Sequence, residues 1–236
     1  MKQILAALLI ALPFSASAIL IDDFSEPDPE DTFQLIVDST DVGSPATFSY
    51  SGAGIIGGTR FISLEWLADE VNPSDDGAYV SYGESVFSWT QGVGVRSELI
   101  LRYDADGAGL GGIDFSGGTA LLVDMISVDE VESFNVAINV TDTGAGAATS
   151  TGNSALTKGP ETVSVIQGSF VGAIDWTSID SLEFVATAKN GAVGAPLGEG
   201  IDVSLGKIYT DVPEPGSLAL MSLGLFGLAA AGRKRK

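Results

Sequence analysis

Apolar and polar residues alternate with period two through much of the middle of the chain. The runs are Thr59-Arg60-Phe61-Ile62-Ser63-Leu64-Glu65-Trp66, Val95 to Tyr103, Ser133 to Thr141, Thr162 to Ile166 and Leu182 to Thr187. Successive side chains of a strand point to opposite faces, so each run reads as a strand with one buried and one wet face. No stretch of twelve or more residues keeps a helical period, and glycine and aspartate gather between the runs, where turns are needed. About ten to fourteen short strands joined by glycine-rich turns predict an all-β fold, an antiparallel β-sandwich of the jelly-roll kind, because antiparallel sheets tolerate a solvated face. A barrel is the alternative. Gly144-Ala145-Gly146-Ala147-Ala148 and Gly191-Ala192-Val193-Gly194-Ala195 are expected to be mobile loop tips rather than strands, since such small side chains bury little area against the cost of ordering them.

The two ends break this pattern. Lys2, the apolar run Ile4 to Phe14 and the small residues Ala16-Ser17-Ala18 have the order of a secretory signal peptide (residues 1–18), cut by signal peptidase to leave Ile19 first. A membrane-spanning anchor is the alternative, and the shortness of the apolar run argues against it. At the other end Val212-Pro213-Glu214-Pro215-Gly216 stops any strand, Leu218 to Ala231 is uncharged, and Arg233-Lys234-Arg235-Lys236 closes the chain. As a helix the apolar stretch would reach roughly 21 Å, short of a bilayer core of roughly 30 Å, which suits a transient inner-membrane anchor better than a permanent one. The cations would hold the tail's end in the cytoplasm and leave Pro213-Glu214-Pro215 on the far side. The expected organisation is signal peptide 1–18, β-sandwich 19–211 and C-terminal segment 212–236.

The ordered set of Pro-Glu-Pro, apolar helix and basic cluster resembles the PEP-CTERM sorting signal of Gram-negative bacteria that make extracellular polysaccharide. That resemblance implies recognition by an exosortase, removal of the tail, and release toward the cell surface or extracellular matrix. An ordinary C-terminal membrane anchor is the alternative. Ile21-Asp22-Asp23-Phe24, Ile56-Gly57-Gly58-Thr59-Arg60, Gly109-Leu110-Gly111-Gly112-Ile113-Asp114 and Ile201 to Ile208 resemble secreted jelly-roll domains found ahead of this signal, and galactose-binding-like carbohydrate-binding modules. The second resemblance implies a structural cation joining the first strand to the last, which would bring Asp22, Asp23 and Asp202 together.

Composition narrows the chemistry. The chain has 11 Lys+Arg against 31 Asp+Glu, and residues 19–212 alone hold 30 acidic and 6 basic residues, a net −24, so nucleic acid is excluded as a partner. Histidine and cysteine are absent, which removes His-based triads, thiol nucleophiles, disulfides and His or Cys metal sites. Core packing and cations are then what is left to hold an exported domain together.

Asp104-Ala105-Asp106-Gly107-Ala108-Gly109 begins like a calcium loop, with carboxylates at positions one and three and glycine at six. Ala108 at position five and Phe115 at twelve exclude an EF-hand. An irregular Ca2+ site from Asp104, Asp106 and Asp114 stands beside the plainer reading, a solvated Asp-Gly turn. Tyr79, Tyr82 and Trp89, close in sequence around a turn, are candidates for stacking on sugar rings; burial in the core is the competing use. Arg60, Arg96 and Arg102 are expected to pair with Glu65, Glu98 or Asp104. Asp75-Asp76, Asp129-Glu130 and Glu98 could form a glycosidase pair, yet among 30 acids some pair always looks suitable. Gly83-Glu84-Ser85-Val86 lacks the second glycine of a nucleophile elbow.

The expectation from sequence is a non-enzymatic, exosortase-processed surface or matrix protein that associates with exopolysaccharide, with calcium as candidate structural cofactor. A self-associating matrix or coat protein, and a glycan hydrolase or lyase, are the alternatives.

Overall fold

The structure, a computed structural model, describes residues 18–25, 33–38, 40–69, 77–83, 85–92, 95–129, 134–151, 159–188 and 200–211. The fourteen strands among them are, in chain order, β1 (Leu20–Asp22), β2 (Phe33–Val37), β3 (Ala46–Ser51), β4 (Thr59–Asp69), β5 (Ala78–Gly83), β6 (Val86–Gln91) and β7 (Val95–Tyr103). They continue as β8 (Ala120–Val128), β9 (Phe134–Asp142), β10 (Ala147–Thr151), β11 (Glu161–Ile166), β12 (Val171–Ala173), β13 (Ile179–Ala188) and β14 (Ile201–Thr210). All five alternating runs form strands at the expected places.

The strands form two sheets and every pairing is antiparallel. The first runs β11-β8-β14-β6-β5-β2, with β1 added on β14; the second runs β12-β10-β9-β13-β7-β4-β3. The alternation explains the layering: β5 buries Ala78, Val80 and Tyr82, β6 buries Phe87, Trp89 and Gln91, and β7 buries Val95, Leu99, Leu101 and Tyr103. These inward rows meet those of β4, β13 and β14 as one core between the sheets. The all-β antiparallel sandwich read from the sequence is the observed fold.

One expectation needs correction. Ala147 and Ala148 are not part of a loop tip but pair in β10 with Thr141 and Val140 of β9. The turn before them is pinned by Asp142, whose Oδ1 accepts the N–H groups of Gly144 and Gly146, both at 2.8 Å. Side-chain hydrogen bonds to the backbone supply the order that small residues could not. The other glycine-alanine segment, 191–195, lies outside the described residues.

Packing between the sheets is incomplete. A cavity of about 60 Å³ lies between the sheets, walled by apolar side chains including Leu99, Val136, Val165, Phe184, Ala186 and Leu205.

Candidate functional site

The strand β1 carries a charged residue into the interior. Ile21 and Asp22 are both fully buried, because β1 pairs with β14 through Asp22↔Ile208 while Asp22 also bridges to Ile55. Asp22 Oδ2 meets Arg60 Nη1 at 2.7 Å, with neither side chain exposed, and accepts the Tyr103 hydroxyl at 2.8 Å. Its Oδ1 accepts the N–H of Phe24 at 2.8 Å. The Arg60 guanidinium lies 4.9 Å from the Phe24 ring, 5.1 Å from Tyr82, 5.5 Å from Tyr50 and 5.8 Å from Phe87. Negative ring faces and one carboxylate thus surround a cation that water does not reach. Burial pushes the Asp22 carboxyl above its ordinary value, while Arg60 and the Phe24 and Tyr103 donors restrain it. Burial and the Asp22 carboxylate together raise the Tyr103 phenol well above its usual range.

This arrangement corrects two expectations. Arg60 pairs with Asp22, not with Glu65, Glu98 or Asp104; Arg102 does pair with Asp104, at 3.0 Å. Asp22 and Asp202 are also not neighbours. Asp22 sits opposite Ile208, and Asp202 lies six residues back along β14, roughly 20 Å away at strand rise. Asp202 is exposed, and its N–H donates to Asp129 Oδ1 at 2.7 Å. Asp23 Oδ1 accepts the Ser25 N–H at 2.9 Å.

The loop after β7 uses its acids locally. Asp104 binds Arg102 with one oxygen and the Gly107 N–H, at 3.1 Å, with the other. Asp106 is exposed and left-handed at φ 58°, and Asp114 Oδ1 accepts both the N–H and the hydroxyl of Ser116, at 2.8 and 2.6 Å. Those Ser116 bonds, the hydroxyl first, hold Asp114 below the usual carboxylate range. Gly109 is left-handed at φ 82° and packs so closely on Asp180 that an added Cβ would run into its carboxylate. Among the described residues no three His, Cys, Asp or Glu side chains gather in a way that could hold a metal ion.

Two of the three expected stacking aromatics are core residues. Tyr82 and Trp89 are 4% and 1% exposed because the alternation of β5 and β6 turns both inward. Trp89 Nε1 donates to Ser97 Oγ at 3.2 Å, Ser97 donates to Gln91 Oε1 at 2.7 Å, and Gln91 Nε2 donates to the Val95 carbonyl at 2.9 Å. With its indole N–H committed and its faces covered, Trp89 offers no platform to a sugar. Tyr79 is half-buried on the outward row of β5, where its hydroxyl accepts the Gly77 N–H at 3.1 Å. Ala18 is exposed; Ala16, Pro213, Glu214 and Pro215 lie outside the described residues, as do Asp75, Asp76 and Glu130.

The candidate ligand surface lies where β2, β5 and β6 meet. A recess of about 450 Å³ is walled by Phe33, Gln34, Ser81, Tyr82, Val86 and Ser88. It combines a primary amide, two aliphatic hydroxyls and two aromatic side chains, with no charged side chain among its lining residues. Such neutral donors and acceptors beside an aromatic wall suit a polyol, and the volume is within the range of small-ligand sites. Tyr82 was legible as a candidate, although it contributes a wall and not an exposed face. No motif or composition signal marks Gln34, Ser81 and Ser88; the shared outward parity of Ser81 and Ser88 is the pattern in the sequence that points to them.

β14 ends at Thr210, whose N–H donates to the Ile19 carbonyl at 2.9 Å, and Ile19 N–H returns a bond to the Thr210 hydroxyl at 2.9 Å. Both ends of the described domain therefore leave it at one point. Asp211 closes the strand, binding the Thr119 N–H and hydroxyl and, at 2.8 Å, the Ala120 N–H.

The chain is an antiparallel β-sandwich followed by a C-terminal sorting segment, which marks an exported protein. Residues 211–236 match the PEP-CTERM protein-sorting motif. No curated protein sequence matches the chain. Among solved structures it is similar to the family 11 carbohydrate-binding module of the cellulosomal cellulase Lic26A-Cel5E of Clostridium thermocellum, at 12% identity and TM-score 0.38, over 85% of this chain and 98% of that one. It is similar to the Clostridium thermocellum family 11 module in complex with a β-1,3-1,4-mixed-linked tetrasaccharide, at 13% identity and TM-score 0.33, over 77% and 97%. It is also similar to an agarase, at 12% identity and TM-score 0.36, over 64% of this chain and 25% of that one.

Proposed function

We propose that this protein is cut by signal peptidase and exosortase, released to the cell surface or extracellular matrix, and associates there with exopolysaccharide as a non-catalytic binding domain. One observation carries the reading: the last strand ends at Thr210 and the sorting motif begins at residue 211. All fourteen described strands therefore precede the motif, whose first residue, Asp211, is still bonded to the sandwich, as cargo precedes an address. The recess at β2, β5 and β6 is the surface best fitted to a neutral glycan, through the Gln34 amide and the Ser81 and Ser88 hydroxyls.

Intact-mass measurement of the protein recovered outside the producing cell tests the processing. The expected species begins at Ile19 and lacks the apolar, basic tail; a secreted species that keeps the tail overturns the reading. Retention on the producer's own exopolysaccharide, with calcium and with a chelator, tests the binding. Gln34→Ala and Ser88→Ala should each weaken retention about tenfold, the worth of one well-placed hydrogen bond. Unchanged retention in both would remove the recess as the site, and dependence on calcium would bring back the metal expectation for the exported form.

A further inference from the structure

Edge strands are where a sheet can accept another strand, and proteins usually guard them with charge or proline. Here the charges sit elsewhere. β4 and β7, inside the second sheet, carry Arg60, Glu65, Asp69, Arg96, Glu98 and Arg102, whereas the edge strand β3 (Ala46-Thr47-Phe48-Ser49-Tyr50-Ser51) carries none. The uncharged stretch runs well past the strand, from Val42 to Thr59, in a chain of net charge −20. Among the described residues β3 pairs with β4 alone and ends the second sheet.

Apolar groups are exposed along the same flank. Val42 is 54% and Phe48 37% exposed, and Phe48 stacks on Phe33 of β2 at 4.0 Å, at the mouth between the two sheets. Thr47, Ser49 and Ser51 line the outer face and are exposed.

We infer that β3 is a self-association edge, pairing antiparallel with β3 of a second copy across a two-fold axis so that the second sheet continues through both protomers. Charge selects the occupant. An oppositely charged partner would be drawn to the acidic surface at large, whereas a like-charged copy can come within strand distance, about 4.8 Å, only along a strip without carboxylates. The residue pattern is also self-complementary. Opposed residues must share a face. Pairing centred on Ser49 sets Thr47 against Ser51 and Phe48 against Tyr50; pairing centred on Phe48 sets Thr47 against Ser49 and Phe48 against itself. Either register puts hydroxyl on hydroxyl and aromatic on aromatic, pairs that stabilise a sheet.

The test is sedimentation of the exported protein over a concentration series, with hydrogen exchange as the local readout. The expected result is a reversible dimer whose formation protects the amides of residues 46–51. Ser49→Lys and Ser49→Glu should both weaken it about tenfold, since either sign sets like charges directly opposite in the first register and diagonally about 7–8 Å apart in the second. A general effect of net charge would instead move the two variants in opposite directions, and that result overturns the proposal. Ile126→Lys removes an exposed apolar residue from β8, within the other sheet, and should leave the dimer unchanged. A wild-type monomer up to about 1 mM, unlimited growth beyond a dimer, or protection confined to other strands also overturns it. None of these outcomes depends on glycan binding.

Discussion

Asp22 shows how much one side chain can hold in place. Its two oxygens satisfy Arg60, Tyr103 and the backbone of Phe24, a buried aromatic held left-handed at φ 50°. Bulky residues rarely adopt that conformation, so the bond from the Phe24 N–H offsets local strain. Asp22→Ala would leave the Arg60 guanidinium buried without its carboxylate, and unfolding free energy should fall by about 3–5 kcal/mol. Asp22→Leu combined with Arg60→Met should recover most of that loss, and chemical denaturation of the three proteins checks both expectations. Asp211 predicts a pH dependence. Burial raises its carboxyl, but the Thr119 hydroxyl and the Ala120 and Thr119 amides outweigh burial and leave it below the ordinary value. The unfolded chain then takes up this proton at a higher pH than the folded chain. The contribution is therefore whole above the ordinary aspartate value of about 3.9 and is lost as pH falls through the lower folded value. Asp22 has the opposite sign: its raised folded value makes stability decline as pH rises from the ordinary value to the folded one, and level off above. Asp211→Asn should flatten the acid limb of a stability-against-pH curve measured by denaturation, while Asp22→Asn should not.

At the scale of elements, the period-two alternation decides which side chains meet, but not how well they fill the space. The cavity of about 60 Å³ shows the shortfall. Ala186 on β13 lies opposite Val136 of β9 and Leu99 of β7, in the row that walls it. Ala186→Val adds apolar volume in a side chain that suits a strand, and should raise stability by about 1 kcal/mol. A higher urea midpoint at unchanged slope is the check; a lower midpoint would mean that the wall cannot move to accept the branch. Turns obey a different logic from strands. Gly144 and Gly146 looked too small to order a loop, yet the Asp142 carboxylate orders it through the backbone. Composition counts the area a segment can bury. It does not count a hydrogen bond offered by the residue before the turn.

For the whole molecule, the determining fact is that first and last strands close on one another. Ile19 and Thr210 exchange hydrogen bonds, so Ile19 and the start of the sorting motif lie side by side. Removing residues 19–23 should therefore cost as much as Asp22→Ala or more, because β14 loses its β1 partner as well as the Arg60 counterion; thermal unfolding of that truncation measures it. The sequence by itself determined the positions of the five alternating strands, the antiparallel sandwich and the C-terminal sorting motif. Each follows from local quantities, the period of the apolar residues or the length and flanks of an apolar run. Only the tertiary structure decided that Asp22 would neutralise Arg60 rather than lie beside Asp202, and that Trp89 would be covered. It also decided that Gln34, Ser81 and Ser88 would share one recess and that β3 would be an edge. Those outcomes depend on which strands become neighbours, a choice made by burial summed over both sheets, and no stretch of sequence short enough to read as a pattern contains that sum.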